Sequence, residues 1–117
     1  MAARQRQTYG EEVANVLTHG AGMLFGMTAI IILMMAAIQS GNPWAIGSFA
    51  VYAVCMTLSY VTSTFYHAST HARQKRLLRR FDHGAIYLHI AGTYTPFTLL
   101  ALRQEGYWGW SLFAVIW

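Results

Sequence analysis

The chain has 117 residues, of which 56% are hydrophobic and only 10% charged, with a mean hydropathy of +0.35. A soluble domain of ordinary composition carries about 25% charged residues, so a water-soluble fold is disfavoured. A single cysteine, Cys55, excludes a disulfide scaffold, and the apolar content excludes a disordered tail. Net charge is +4, and five of the eight Lys and Arg residues crowd into residues 73–80. Such a cluster can track phosphates, but the long apolar runs on both sides argue against nucleic acid as a partner.

Residues 1–20 are polar and open as a helix would. Thr8 and Glu11 have the spacing of a capping box, in which hydroxyl and carboxylate each meet an orphan backbone N–H. No short apolar core with a cleavage site precedes them, so no signal peptide is expected. Residues 21–38 form an uncharged run at the lower edge of the roughly 17–25 residues that a spanning helix needs. Gly22 and Gly26 within it either let a neighbouring helix approach closely or reflect the ordinary glycine content of membrane helices. Asn42-Pro43 signals a turn. Residues 44–66 are again free of charge, with Trp44, Tyr60 and Tyr66 near the ends, where aromatic residues favour membrane interfaces.

Residues 67–83 read as a polar, basic loop. Residues 84–102 give a third uncharged run, in which Pro96 should kink the helix and the Thr93 and Thr95 hydroxyls should satisfy freed carbonyls. After a short loop at 103–106, residues 107–117 begin a fourth apolar run that reaches about 16 Å, half of a roughly 30 Å hydrocarbon core. The expected fold is therefore all-α, a polytopic transmembrane bundle of about 3.5 spans in a single membrane domain, forming the N-terminal part of a longer protein. Seven of the eight cations lie in the N-terminal segment and the 67–83 stretch, which places both in the cytoplasm.

Five histidines in so apolar a chain need an account. Glu12, Asn15, Thr18 and His19 share one helical face. Ser63 precedes His67 by one turn, and His71 follows it by one. Asp82 and His83 open the third span at the same end, and His89 lies two turns further in. Ser63, His67 and Asp82 should thus meet at one depth. An imidazole can hold zinc, and a carboxylate can orient it or activate a bound water. An Asp at membrane depth is a functional candidate by default. The alternative is a hydrated polar helix start at Asp82 and His83, with His67 hydrogen-bonded to Ser63. His67 and His71 have the i, i+4 spacing of a metal pair, although no Glu follows His67 as a zinc-protease motif requires. His89 and Cys55 read as interior packing residues, and Met23, Met27, Met34, Met35 and Met56 as core- or lipid-facing filler.

Three strings carry a resemblance: EEVANVLTHG at 11–20, STFYHAS at 63–69 before the basic stretch, and FDHGAIYLHIAGTYTPF at 81–97. In this order and spacing they resemble the hemolysin III family. The resemblance implies a bacterial seven-helix membrane protein related to the progestin and adipoQ receptors and, more distantly, to alkaline ceramidases. It implies zinc near the cytoplasmic face, held by three histidines with a serine and an aspartate nearby. His67 would be one zinc ligand, Ser63 the serine, and Asp82 the aspartate that contacts the zinc-bound water. The other two ligands belong to a His-xxx-His motif in a last helix beyond residue 117. The function so implied is a zinc-dependent hydrolase of lipid amide or ester bonds in the cell membrane, with membrane lipids as partners. The alternative is a non-enzymatic membrane protein, either a regulator of bilayer state or a cytolysin as the family name suggests. The spans show no polar stripe that would line a pore.

Overall fold

The computed structural model describes residues 8–117, so Arg4 and Arg6 lie outside the described residues. The described residues run as four α-helices, α1 (Tyr9–Ser40), α2 (Pro43–Ala68), α3 (Ala72–Pro96) and α4 (Trp108–Ile116). A π-helical turn, Phe97–Ala101, follows α3 directly.

The capping box forms as expected. The Thr8 hydroxyl accepts from the Glu11 N–H at 3.3 Å, and the Glu11 carboxylate accepts from the Thr8 N–H at 2.6 Å. From there α1 continues for 32 residues, which at 1.5 Å per residue is about 48 Å and exceeds the apolar run it contains. It stops at Gly41, whose φ of 64° is the left-handed conformation that glycine adopts without strain. Asn42 then caps α2 by accepting from the Trp44 N–H at 3.0 Å, with Pro43 at the first helical position. The Asn-Pro signal thus marks the junction between two helices.

α1 and α2 are both long and apolar enough to cross a membrane. They pack antiparallel, and their small residues set the separation. A Cβ on Gly22 would lie 2.7 Å from the Tyr60 ring, and one on Gly26 would lie 2.5 Å from the Met56 methyl. The glycine pair is therefore a packing face. α2 and α3 approach in the same way where Gly92 meets Cys55, and Cys55 is buried there, as its reading as a packing residue anticipated.

The basic stretch differs from expectation. Only residues 69–71 are non-helical between α2 and α3, and the basic residues form the N-terminal half of α3 itself. Arg, Lys, Gln and Leu are all good helix formers, so polarity alone did not make this segment a loop. The third apolar run is divided between the second half of α3 and the π-helical turn. Pro96 has no N–H to give, and the backbone beyond it shifts to i→i+5 bonding, with the Leu102 N–H on the Phe97 carbonyl at 3.0 Å. The Thr93 and Thr95 hydroxyls donate one turn back, to the carbonyls of His89 at 2.7 Å and Ala91 at 2.8 Å, and not to the Gly92 carbonyl that Pro96 leaves without its i+4 partner. Thr95 also accepts from the Trp117 indole N–H at 3.0 Å, which fastens α4 to the end of α3.

Candidate functional site

Helix register decides which polar residues meet. Moving four residues back along α1 matches moving four forward along α2, so Gly26 faces Met56 and Gly22 faces Tyr60. Extending this register brings Asn15 to His67, and the two side chains do touch, with Asn15 Nδ2 3.4 Å from His67 Nδ1. Between α2 and α3 the anchor is Cys55 on Gly92. At 1.5 Å per residue Ser63 lies about 12 Å beyond that contact, Asp82 about 15 Å and His67 about 18 Å, all towards the same end. Asp82 thus sits at a depth between Ser63 and His67. Ser63 and Asp82 are both buried.

His67 is the centre of the cluster. Its Nδ1 lies 2.7 Å from Glu12 Oε2, and the other Glu12 oxygen accepts from the Lys75 ammonium, so one carboxylate joins α1, α2 and α3. An ionised carboxylate only accepts, so the proton of a neutral His67 sits on Nδ1 and the lone pair on Nε2. Asn15 Nδ2 is itself a donor, so its 3.4 Å approach to the protonated Nδ1 is a contact and not a second hydrogen bond. The His19 ring stacks on His67, with centroids 5.7 Å apart and planes 13° from parallel. Tyr66 packs against the His67 ring at 4.7 Å, and the Lys75 ammonium lies 5.3 Å from the Tyr66 centroid. Glu12 stands in the first turn of α1, before the apolar run. Burial there pushes its carboxyl up, but the bonds and charges of Lys75 and His67 outweigh burial and hold it below the usual carboxylate range.

The expected face on α1 is formed by Glu12, Asn15 and His19, whereas Thr18 departs from it. Its side chain is exposed, and its hydroxyl bonds back to the carbonyls of Ala14 and Asn15. No Ser63–His67 hydrogen bond occurs among the described residues, and the partner of His67 Nδ1 is Glu12. Asp82 is not a hydrated helix start. It lies in mid-helix and is buried, while His83 beside it is exposed, 3.9 Å from Asp82 Oδ2. His71 is separated from His67 because α2 ends at Ala68, leaving His71 as the N-cap of α3 with no side-chain bond there. His89 is half-buried between the Tyr52 and Tyr60 rings at 6.5 and 6.0 Å.

Lys75 and Tyr66 are partners that sequence reasoning did not assign to the site. Lys75 reads as one cation among five, and only the three-residue turn after α2 brings it back over Glu12. Among the described residues, no three His, Cys, Asp or Glu side chains are grouped to hold a metal ion. Among the described residues, His67 Nε2 is suited to be a ligand, because a carboxylate on the opposite nitrogen is the usual second partner of a metal-bound imidazole. A zinc site needs three or four ligands, so these residues do not complete one.

A family model described as haemolysin-III related matches residues 7–117. Hemolysin-3 of Bacillus cereus is 46% identical over 114 residues, which cover 97% of this chain and 51% of that protein. A Hemolysin-3 homolog of Bacillus subtilis (strain 168) is 44% identical over 110 residues, covering 94% of this chain and 51% of the relative. The chain therefore spans about half the length of the curated relatives it matches. No solved structure matches it. All three strings singled out in the sequence fall within the matched region, as does every residue of the His67 cluster. The chain belongs to the haemolysin-III-related family of membrane proteins.

Proposed function

We propose that the whole protein is a membrane-embedded hydrolase of lipid amide or ester bonds, and that this chain supplies one wall of its site. The observation that carries the reading is the 2.7 Å pair between Glu12 and His67, which leaves Nε2 of a neutral imidazole free to bind. In this reading His67 is one zinc ligand, and the others come from parts of the protein outside these residues. Zinc at such a site would supply a water acidic enough to be deprotonated near neutral pH. Asp82, a buried carboxylate at the depth of Ser63 and His67, would be the residue to hold a proton taken from water at this end of the bundle. The Ser63 hydroxyl orients the water or the scissile carbonyl. The cation-rich segment supports a cytoplasmic position for this end of the bundle and for the N-terminus.

The test uses full-length protein in detergent. Asp82→Ala should abolish hydrolysis of a long-chain acyl amide or ester while leaving zinc content nearly intact, and His67→Ala should lose the zinc. Hydrolysis retained in Asp82→Ala overturns the mechanism.

A second reading has its own observation. Each polar contact of His67 joins one helix to another, as a purely structural cluster would. On that reading the protein regulates bilayer state without chemistry, and a His67→Ala variant that is unstable in detergent still complements a deletion strain. A cytolytic role, which the name Hemolysin-3 of the relatives suggests, predicts leakage from vesicles that contain the purified protein. α1 and α2 are long and apolar enough to cross a membrane, which does not by itself favour a water-filled pore.

A further inference from the structure

The first half of α3 carries Arg76, Arg79, Arg80 and His83 at i, i+3, i+4 and i+7, so the four side chains form one stripe along the helix. They line a cleft of about 500 Å³ that is separate from the His67 cluster. Arg76 repels Arg79 and Arg80 at helical spacing. The helix dipole adds to the conflict. Its positive end lies at Ala72, where neither an acidic residue in the first turn nor a side-chain cap at His71 offsets it. Among the described residues, the carboxylates do not relieve this crowding. Glu12 is engaged with Lys75 and His67, and Asp82 is buried and no nearer to His83 than 3.9 Å. An anion in the cleft would offset this repulsion.

We propose that this cleft binds the phosphodiester headgroup of an anionic phospholipid. Guanidinium groups match phosphate oxygens in a bidentate fork, and three of them reach the cleft. A lipid is favoured over a free anion by what flanks the stripe. Leu77 and Phe81 each follow a stripe arginine directly, and both are more than half exposed, at 56% and 58%. Their side chains offer an acyl chain an apolar surface beside the charge, and α3 continues without a break into the apolar run that begins at Gly84. The assignment does not depend on hydrolysis or on zinc.

Native mass spectrometry of the full-length protein in a neutral detergent tests the proposal, because a micelle removes any effect of the substitutions on membrane orientation. The probes are a phosphatidylglycerol, a phosphatidylcholine of the same chains, and inorganic phosphate. Phosphatidylglycerol should bind at least tenfold more tightly than phosphatidylcholine. Arg79→Gln should weaken it about fivefold, and the triple variant Arg76→Gln/Arg79→Gln/Arg80→Gln should bring it down to the phosphatidylcholine level. Arg73→Gln, outside the cleft, should change it less than twofold. Circular dichroism confirms that the variants keep their helices, and Arg79→Gln alone decides the matter if the triple variant does not fold. Equal binding of the two lipids, or equal weakening by Arg73→Gln and Arg79→Gln, overturns the proposal. Complete displacement of phosphatidylglycerol by millimolar phosphate also overturns it, by identifying a free-anion site.

Discussion

Replacing Glu12 by alanine should destabilise the protein by about 2–3 kcal/mol, because it strands two donors together. The His67 Nδ1–H and the Lys75 ammonium both depend on this one carboxylate, and both are largely sheltered from water. Glu12→Gln keeps an acceptor but loses the charge, and should cost roughly half as much. Lys75→Met removes one donor and leaves the His67 pair intact. A double-mutant cycle between Glu12→Ala and Lys75→Met should return a coupling of about 1–2 kcal/mol. Denaturant unfolding of the full-length protein in detergent measures all of these, and a Glu12→Ala cost below about 0.5 kcal/mol refutes the three-helix tie. A second readout separates stability from positioning. Nitrogen-15 chemical shifts of His67 should report the proton on Nδ1 in the parent and a mixture of tautomers in Glu12→Ala. A fixed tautomer in both would mean that Glu12 does not set the imidazole.

The polar cluster was legible in the sequence one helix at a time. Glu12, Asn15 and His19 announce a face because helical spacing is a property of a single segment. Ser63 and His67 do so for the same reason. What spacing does not supply is the register between helices, and that depends on close approaches such as Gly22 on Tyr60 and Gly92 on Cys55. Lys75 was therefore invisible as a partner of Glu12, although both residues were in view. The stretch from His67 to His83 reads as a loop because charge density outweighs helix propensity in a hydropathy argument. In the fold the same residues are helical, and the turn shrinks to residues 69–71. That shift of boundary turns Asp82 from a helix start into a buried mid-helix residue, and sets three of the five crowded cations, Arg76, Arg79 and Arg80, into an ordered stripe. Pro96 was legible as a disruption, but the sequence does not distinguish a kink from the π-helical turn that absorbs it.

Gly92→Ala should cost up to about 2 kcal/mol, even though alanine is the better helix former. The added methyl would lie 2.5 Å from Cys55 Cβ and 2.9 Å from its sulfur, closer than packed carbon atoms come. Overpacking of this kind costs typically 1–3 kcal/mol, against about 1 kcal/mol gained in helix propensity. The atom met first is a Cβ fixed to a helix backbone and not the end of a flexible chain, so relief requires α2 and α3 to move apart. Two partner substitutions separate the sources of the clash. Cys55→Ala removes the sulfur but keeps the Cβ, and should restore little of the loss in the Gly92→Ala background. Cys55→Gly removes the Cβ too, and should show a favourable coupling of about 1–2 kcal/mol with Gly92→Ala in a double-mutant cycle. Equal rescue by the two would place the conflict at the sulfur, and no rescue by either would refute a clash with Cys55, since the next atom, the Val51 carbonyl oxygen, is in ordinary contact at 3.6 Å. The contact bears on the site because it anchors the α2–α3 register. Ser63, Asp82 and His67 lie only about 12–18 Å beyond it along two rigid helices. A spacer at Gly92 should therefore also widen the gap between Asp82 and Ser63, and hydrogen exchange at the α3 amides near Asp82 should accelerate in Gly92→Ala and return towards the parent rate in Gly92→Ala/Cys55→Gly.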